Sequence, residues 1–110
     1  MSEELTPNFH PVCKTSEVPE DFGRKAVVGG RVLAIFRVGD SFYAIDDTCT
    51  HGQASLSQGY VEGEEVECPL HAGRFHIPTG RPVCLPVTEP VRSYGVRVVG
   101  EEIYVEVPGE

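Results

Sequence analysis

Hydrophobic and polar residues alternate along this chain in short runs that glycine and proline separate. A β-rich run occupies residues 31–38, residues 39–41 carry a turn signal, and the alternation resumes over residues 42–45. Successive side chains of a strand point to opposite faces of a sheet, so this run–turn–run pattern predicts a β-hairpin.

A second hairpin is predicted at the end of the chain, where residues 91–99 and 102–107 flank a turn at residues 100–101. In its last strand, alternate residues point to opposite faces. One face carries Ile103, Val105 and Val107, and the other carries Glu102, Tyr104 and Glu106. Shorter candidate strands span residues 9–14, 24–28, 64–68 and 73–77.

The distribution of glycine and proline decides the fold class. Twelve Gly and nine Pro are spread over the 110 residues, and the longest stretch without either runs only from residue 40 to 51. Helices average about three turns and tolerate neither residue well, so several helices cannot fit. The sequence therefore predicts one all-β domain, 1–110, built as a sandwich or small barrel. The proline-rich segment 78–90 is predicted to be a stiff loop.

The charge balance excludes two classes of partner. Nine Lys+Arg face seventeen Asp+Glu, which gives a net charge of -8, and the acidic residues are spread along the chain. Binding to nucleic acid or to an anionic membrane needs clustered positive charge, so neither is expected. The sequence also shows no apolar run of membrane-spanning length and no signal peptide at its start, which predicts a cytoplasmic protein.

Two motifs in the middle of the chain carry the candidate chemistry. The first is Cys49-x-His51, and after sixteen residues the second follows as Cys68-x-x-His71. Each motif offers one soft thiolate and one imidazole on a loop rich in Gly or Pro, and the intervening residues can form strands that hold the loops side by side. This donor set suits either of two centres: tetrahedral zinc, or a two-iron, two-sulfide cluster with two Cys on one iron and two His on the other.

Written out, the motifs are CTHGQA at residues 49–54 and CPLHAG at residues 68–73. They resemble the two boxes of Rieske iron–sulfur proteins, and the resemblance extends over most of the chain. It is strongest to the small soluble Rieske ferredoxins of bacterial aromatic-ring-hydroxylating dioxygenase systems. The resemblance implies a sandwich of antiparallel sheets with a small cluster-binding subdomain of two loops, at about residues 46–86.

The resemblance also implies the cofactor and its ligands. One Rieske-type 2Fe–2S cluster is expected, with Cys49 and Cys68 on one iron and with His51 and His71 on the other. Electron carriage needs no nucleophile or substrate pocket, so the chain is expected to be an electron-transfer component and not an enzyme.

Four positions depart from the respiratory branch of that family. Ala54 and Leu70 stand where respiratory Rieske proteins carry a pair of disulfide-bonded Cys, which fits a reducing cytosol. Gly73 and Phe75 stand where those proteins carry a Ser and a Tyr that donate hydrogen bonds to the cluster sulfurs. Without these donors the reduction potential is expected near the bottom of the Rieske range, at about -150 mV.

The function implied by the resemblance is one-electron transfer in aromatic hydrocarbon catabolism. A flavin-containing NAD(P)H reductase is the expected donor and a terminal oxygenase the expected acceptor, both as transient partners of a monomer. Two alternatives remain open: the Rieske-like small subunit of an assimilatory nitrite reductase, and a zinc-stabilised interaction module without a redox role.

Four Cys and His residues fall outside the two boxes. Cys13 and Cys84 are interpreted as small buried hydrophobic residues, with a further cluster ligand as the alternative. His10 and His76 are interpreted as ordinary surface or hydrogen-bonded histidines, and His76 is expected to face away from the loops.

Charged residues near the second box have two interpretations. The acidic run consists of Glu62, Glu64, Glu65 and Glu67, and it forms either a solvated strand face or a docking face for a basic partner. Arg74 has either an ordinary surface role or a partner carboxylate to bind.

Overall fold

Ten β-strands and two short 3-10 turns form the regular structure of the described residues, which are 8–20, 22–48, 54–69, 73–84 and 89–107 in this computed structural model. The strands are β1 Phe9–Lys14, β2 Arg24–Val28, β3 Arg31–Val38, β4 Ser41–Asp46, β5 Tyr60–Glu62, β6 Glu65–Glu67, β7 Arg74–His76, β8 Pro82–Cys84, β9 Ser93–Val99 and β10 Glu102–Glu106. The 3-10 turns span Thr15–Glu17 and Leu56–Gln58. No described helix has the length and apolar character needed to span a membrane.

The strands form two antiparallel sheets. The larger sheet has six strands in the order β1-β10-β9-β4-β3-β2, and the smaller sheet has four in the order β5-β6-β7-β8. Both predicted hairpins are present, as β3–β4 and β9–β10. Gly39 and Gly100 occupy their turns with φ of 60° and 63°, a left-handed conformation that glycine adopts without steric cost.

The middle of strand β3 is buried on both faces, and this arrangement connects two hydrophobic clusters. Leu33, Ala34, Ile35 and Phe36 are all fully buried. Because strand side chains alternate, Ala34 and Phe36 enter one cluster while Leu33 and Ile35 enter the other. The core therefore lies on both sides of the larger sheet.

Each cluster joins β3 to a different part of the chain. The first brings in residues of the smaller sheet and its flanks: Ala54, Leu56, Val66, Cys68, Phe75, Ile77 and Val91. The second brings in β1 and β10, and it contains Ile103, Val105 and Val107, as the alternation of the last strand predicted. The first cluster packs the smaller sheet against the larger one and so positions the loops that carry the motifs.

The proline-rich segment corrects one prediction. Residues 78–90 were expected to form only a stiff loop, but Pro82–Cys84 is a strand that pairs with β7. A proline has no N–H to donate to a neighbouring strand, and β8 tolerates one because it is an edge strand with a neighbour on one side only.

The predicted extent of the last hairpin is also corrected at one end. Strand β9 begins at Ser93 and not at residue 91. The N–H of Val91 donates instead to the carbonyl of Gly80, at 2.9 Å. This bond joins the residue after the proline-rich segment to a residue near its start. The smaller sheet falls within residues 46–86, the stretch expected for the subdomain, whose bounds stay a prediction.

Replacing Gly59 by Ala should destabilise the fold by about 3 kcal/mol, because an added Cβ would lie 2.1 Å from the backbone carbonyl oxygen of Glu67. Gly59 has φ of -81°, so the cost is steric and not conformational. The matched control is Gly100→Ala, which has open space around its Cβ and costs only left-handed strain, about 1–2 kcal/mol. Thermal unfolding measures both; a Gly59→Ala loss no larger than that of the control would contradict the steric account.

Candidate metal centre

One of the four predicted ligands, Cys68, belongs to the described part of the chain. Cys49, His51 and His71 lie outside the described residues, so their assignment stays a prediction. The residues that flank them are described on both sides of each loop. The contacts of these flanking residues define the base of each loop.

The loop that carries the first motif is closed at its base. Thr48 and Ser55 form an antiparallel bridge on either side of it. Next to this bridge, the N–H of Leu56 donates to the Asp47 carbonyl at 2.6 Å, and the N–H of Ser57 donates to the Asp47 Oδ1 at 2.9 Å. These contacts hold the chain before Cys49 against the chain after the motif.

The loop that carries the second motif is closed in the same manner. The N–H of Cys68 donates to the Gly73 carbonyl at 2.7 Å, directly beyond the paired residues Glu67 and Arg74 of β6 and β7. Strands β6 and β7 thus form a hairpin, and Cys68 directly follows the end of β6.

The Cys68 side chain fits a soft metal centre. It is 1% exposed and lies in the first hydrophobic cluster, which also contains Ala54 from the end of the first motif and Phe75 from β7. A coordinating thiol is deprotonated, and in an apolar setting its charge needs a cation for compensation. With two Cys and two His across the two loops, the donor set matches the half-sulfur, half-imidazole ligation of a Rieske cluster.

Arg74 organises the charge beside the second loop. Its Nη1 lies 3.0 Å from Glu62 Oε1 and 3.4 Å from Glu65 Oε1, and its Nη2 lies 3.3 Å from Glu67 Oε1. Hydrogen bonds to Glu62 and Glu65 raise the pKa of the guanidinium. Arg74 therefore binds carboxylates of its own chain, and the acidic run is partly neutralised from within.

His76 has the ordinary role that the sequence predicted. Its Nδ1 is 2.8 Å from the Thr79 hydroxyl, and its Nε2 is 3.2 Å from Glu64 Oε1. Cys13 is buried, as predicted, and burial raises the pKa of its thiol. His10 lies on β1 opposite Val105. Cys84 ends β8, and its predicted role is not tested.

Two aspartates at the end of β4 were missed by the sequence reasoning. Asp46 Oδ1 accepts a hydrogen bond from the Tyr94 hydroxyl at 2.5 Å, and Asp46 Oδ2 accepts one from the Arg92 N–H at 3.2 Å. Burial is the larger cause of a raised pKa at Tyr94, and the hydrogen bond to Asp46 is the second cause. Asp47 is 2% exposed. The available signal was a pair of acidic residues at the end of a hydrophobic strand, with one residue between them and the first motif.

In this fold, two antiparallel sheets flank two Cys/His motifs. This arrangement is typical of a protein that holds a metal centre between two loops. The family model of the Rieske [2Fe-2S] domain matches residues 8–95. This chain belongs to that family, and its cofactor is one Rieske-type [2Fe–2S] cluster. The expected fold class and cofactor are confirmed, and the zinc alternative is wrong.

Known relatives narrow the class further. The anthranilate 1,2-dioxygenase ferredoxin subunit of Burkholderia cepacia is 46% identical over 107 residues, which cover 97% of this chain and 99% of the relative. The ferredoxin of carbazole 1,9a-dioxygenase from Nocardioides aromaticivorans IC177 is 40% identical with a TM-score of 0.85, covering 90% of this chain and 97% of that one. A chain in the solved complex of reduced oxygenase and oxidized ferredoxin in carbazole 1,9a-dioxygenase is 43% identical with a TM-score of 0.83, covering 92% and 94%. The chain is accordingly an electron-transfer protein of the ferredoxin class.

Removing the Arg74 charge with Arg74→Gln should lower both the unfolding temperature and the reduction potential, because Glu62, Glu65 and Glu67 would lose their shared cation next to the second loop. Arg81→Gln is the matched control, since Arg81 is an exposed arginine beyond the far end of β7. Both differences should shrink at high salt, which screens exposed charges. Equal effects of the two substitutions would show that only net charge matters and not the contacts of Arg74.

Proposed function

We propose that this chain carries single electrons from a flavin-containing NAD(P)H reductase to a terminal aromatic-ring-hydroxylating oxygenase. The observation that carries the proposal is the similarity, over nearly the whole length of both chains, to the ferredoxin subunit of a dioxygenase. A further relative has been solved in complex with its oxygenase, which supports the oxygenase as one partner. The 46% identity to a dioxygenase ferredoxin subunit favours this role over that of a nitrite reductase small subunit.

The proposal assigns four ligands: Cys49 and Cys68 for one iron, and His51 and His71 for the other. When bound, the cluster supplies a site for one electron, at a potential that neutral imidazoles raise above that of a four-Cys ferredoxin. The chain's own contribution is to close both loops at their bases and to bury the Cys68 side chain away from water. Fixed loop bases limit the rearrangement that accompanies each change of charge.

Electrostatics supports transient docking on a basic partner. The chain carries a net charge of -8. Within the acidic run, the side chains of Glu62 and Glu64 are 75% and 62% exposed, whereas those of Glu65 and Glu67 are only about one-third exposed. Glu62 also contacts Arg74, but it keeps most of its side chain in solvent. We therefore assign the docking role of the run to Glu62 and Glu64. Exposed charge pairs speed association more than they tighten it, which suits a carrier that must dissociate.

The proposal includes a monomeric protein with one Rieske domain over residues 1–110, located in the cytoplasm. The cytoplasmic location is supported by Ala54 and Leu70, which occupy the two positions where a cross-cluster disulfide would form in the respiratory branch.

The purified holoprotein should contain two irons and two acid-labile sulfides per chain, and its visible spectrum should bleach with dithionite. With the reductase and oxygenase of the Burkholderia cepacia anthranilate 1,2-dioxygenase system and no other ferredoxin, it should support NADH-dependent product formation that falls as salt rises. Glu62→Gln with Glu64→Gln should slow that transfer, while Glu101→Gln with Glu102→Gln at the β9–β10 turn is the charge-matched control. A colourless protein, or a spectrum that dithionite leaves unchanged, would refute the carrier role.

His71→Cys tests the ligand assignment. A thiolate in place of a neutral imidazole adds one negative charge to the cluster, so the reduction potential should fall or the cluster should be lost. His76→Cys is the matched control, because His76 is a histidine of the same subdomain that hydrogen-bonds Thr79 and Glu64. This control should keep its cluster and a nearly unchanged potential. An unchanged potential in His71→Cys would contradict the assignment.

A further inference from the structure

Asp47 is the one buried charged residue among the residues that the structure describes. It follows β4 directly and precedes Cys49 by two positions. A buried carboxylate is costly unless it is hydrogen-bonded and paired with a cation, so its surroundings determine whether the fold can keep it. Asp47 has both, a hydrogen bond from Ser57 and a cation in Lys25.

The backbone of Asp47 joins two separate elements. Its N–H donates to the carbonyl of Val32 on β3 at 3.0 Å, and its own carbonyl accepts from the N–H of Leu56 at 2.6 Å. Val32 belongs to the larger sheet, whereas Leu56 begins the 3-10 turn that follows the first motif. The residue therefore lies where the sheet, the start of the loop and the end of the loop meet.

The carboxylate adds two contacts of a different kind. Oδ1 accepts a hydrogen bond from the N–H of Ser57 at 2.9 Å, and Oδ2 lies 3.8 Å from Nζ of Lys25 on β2. The Lys25 side chain is 48% exposed while that of Asp47 is 3% exposed, so the cation reaches in from the surface. One oxygen thus holds the chain beyond the loop, and the other is paired with a neighbouring strand.

We propose that Asp47 is a positioning residue of the first ligand loop, because its carboxylate joins the chain that enters the loop to β2 and to the Leu56–Gln58 turn that follows the loop. The inference rests on the proposed assignment of Cys49 and His51 as ligands. The negative charge of Asp47 also lies next to that loop, so it disfavours the addition of an electron and lowers the reduction potential. The positive charge of Lys25 has the opposite effect on the potential.

The test separates the hydrogen bond from the charge. Asp47→Asn keeps an oxygen that can accept from the Ser57 N–H but removes the charge, whereas Asp47→Ala removes both. Asp40→Asn and Asp40→Ala are the matched controls, because Asp40 is exposed in the β3–β4 turn, roughly 20 Å away along the strand. Hydrogen exchange of the Ser57 amide reports the contact itself, and the visible circular dichroism, iron content and reduction potential of the holoprotein report the centre.

In Asp47→Ala, we expect faster exchange at the Ser57 amide, an altered cluster spectrum and a lower iron content. In Asp47→Asn, the Ser57 amide should stay protected while the potential rises by more than in Asp40→Asn. Lys25→Gln should lower the potential and leave the Ser57 amide protected. These opposite shifts would not arise from a general loosening of the fold.

Unchanged Ser57 exchange and an unchanged cluster spectrum in Asp47→Ala would overturn the proposal. If Asp47→Ala does not fold, Asp47→Asn and Lys25→Gln decide, and potentials no different from that of Asp40→Asn would overturn it equally. A wild-type protein without a reducible cluster would instead refute the proposed function, and the exchange of the Ser57 amide would still report whether Asp47 holds the loop.

Discussion

Closure of two short loops by hydrogen bonds at their bases is the constraint on which this molecule depends. The Thr48–Ser55 bridge closes the first loop, and the bond from the Cys68 N–H to the Gly73 carbonyl closes the second. A metal centre shared between two loops needs both loops in fixed positions. The sheets supply that geometry because each closure extends an element that is already anchored in the core.

The anchoring follows from the unusual position of β3. The side chains in the middle of this strand are buried on both faces, so one strand serves two hydrophobic clusters. The cluster that contains Phe36 also contains Ala54 and Cys68, which places a residue of each motif loop in the same apolar core. Packing energy that stabilises the fold therefore also holds Ala54 and Cys68, at one end of each motif, relative to one another.

Charged side chains are grouped in two places beside the motif loops. Arg74 gathers three glutamates on the surface of the smaller sheet, and Asp47 sits inside the base of the first loop with Lys25 beside it. An acidic protein that must accept an electron benefits from local compensation, since uncompensated negative charge near the centre disfavours reduction. The exposed Glu62 and Glu64 leave enough negative surface for recognition by a basic partner.

The sequence alone determined the all-β class and most strands and predicted the donor residues, because motif spacing and the two-residue period of a strand are local properties. Tertiary structure alone decided that Pro82 lies in an edge strand, that Arg74 binds its own chain's glutamates, and that Asp47 is buried. The contacts of Arg74 lie across neighbouring strands, and Asp46 meets Tyr94 at a separation of 48 residues. Such pairings depend on which strands become neighbours and on which faces are covered, and no local pattern encodes either.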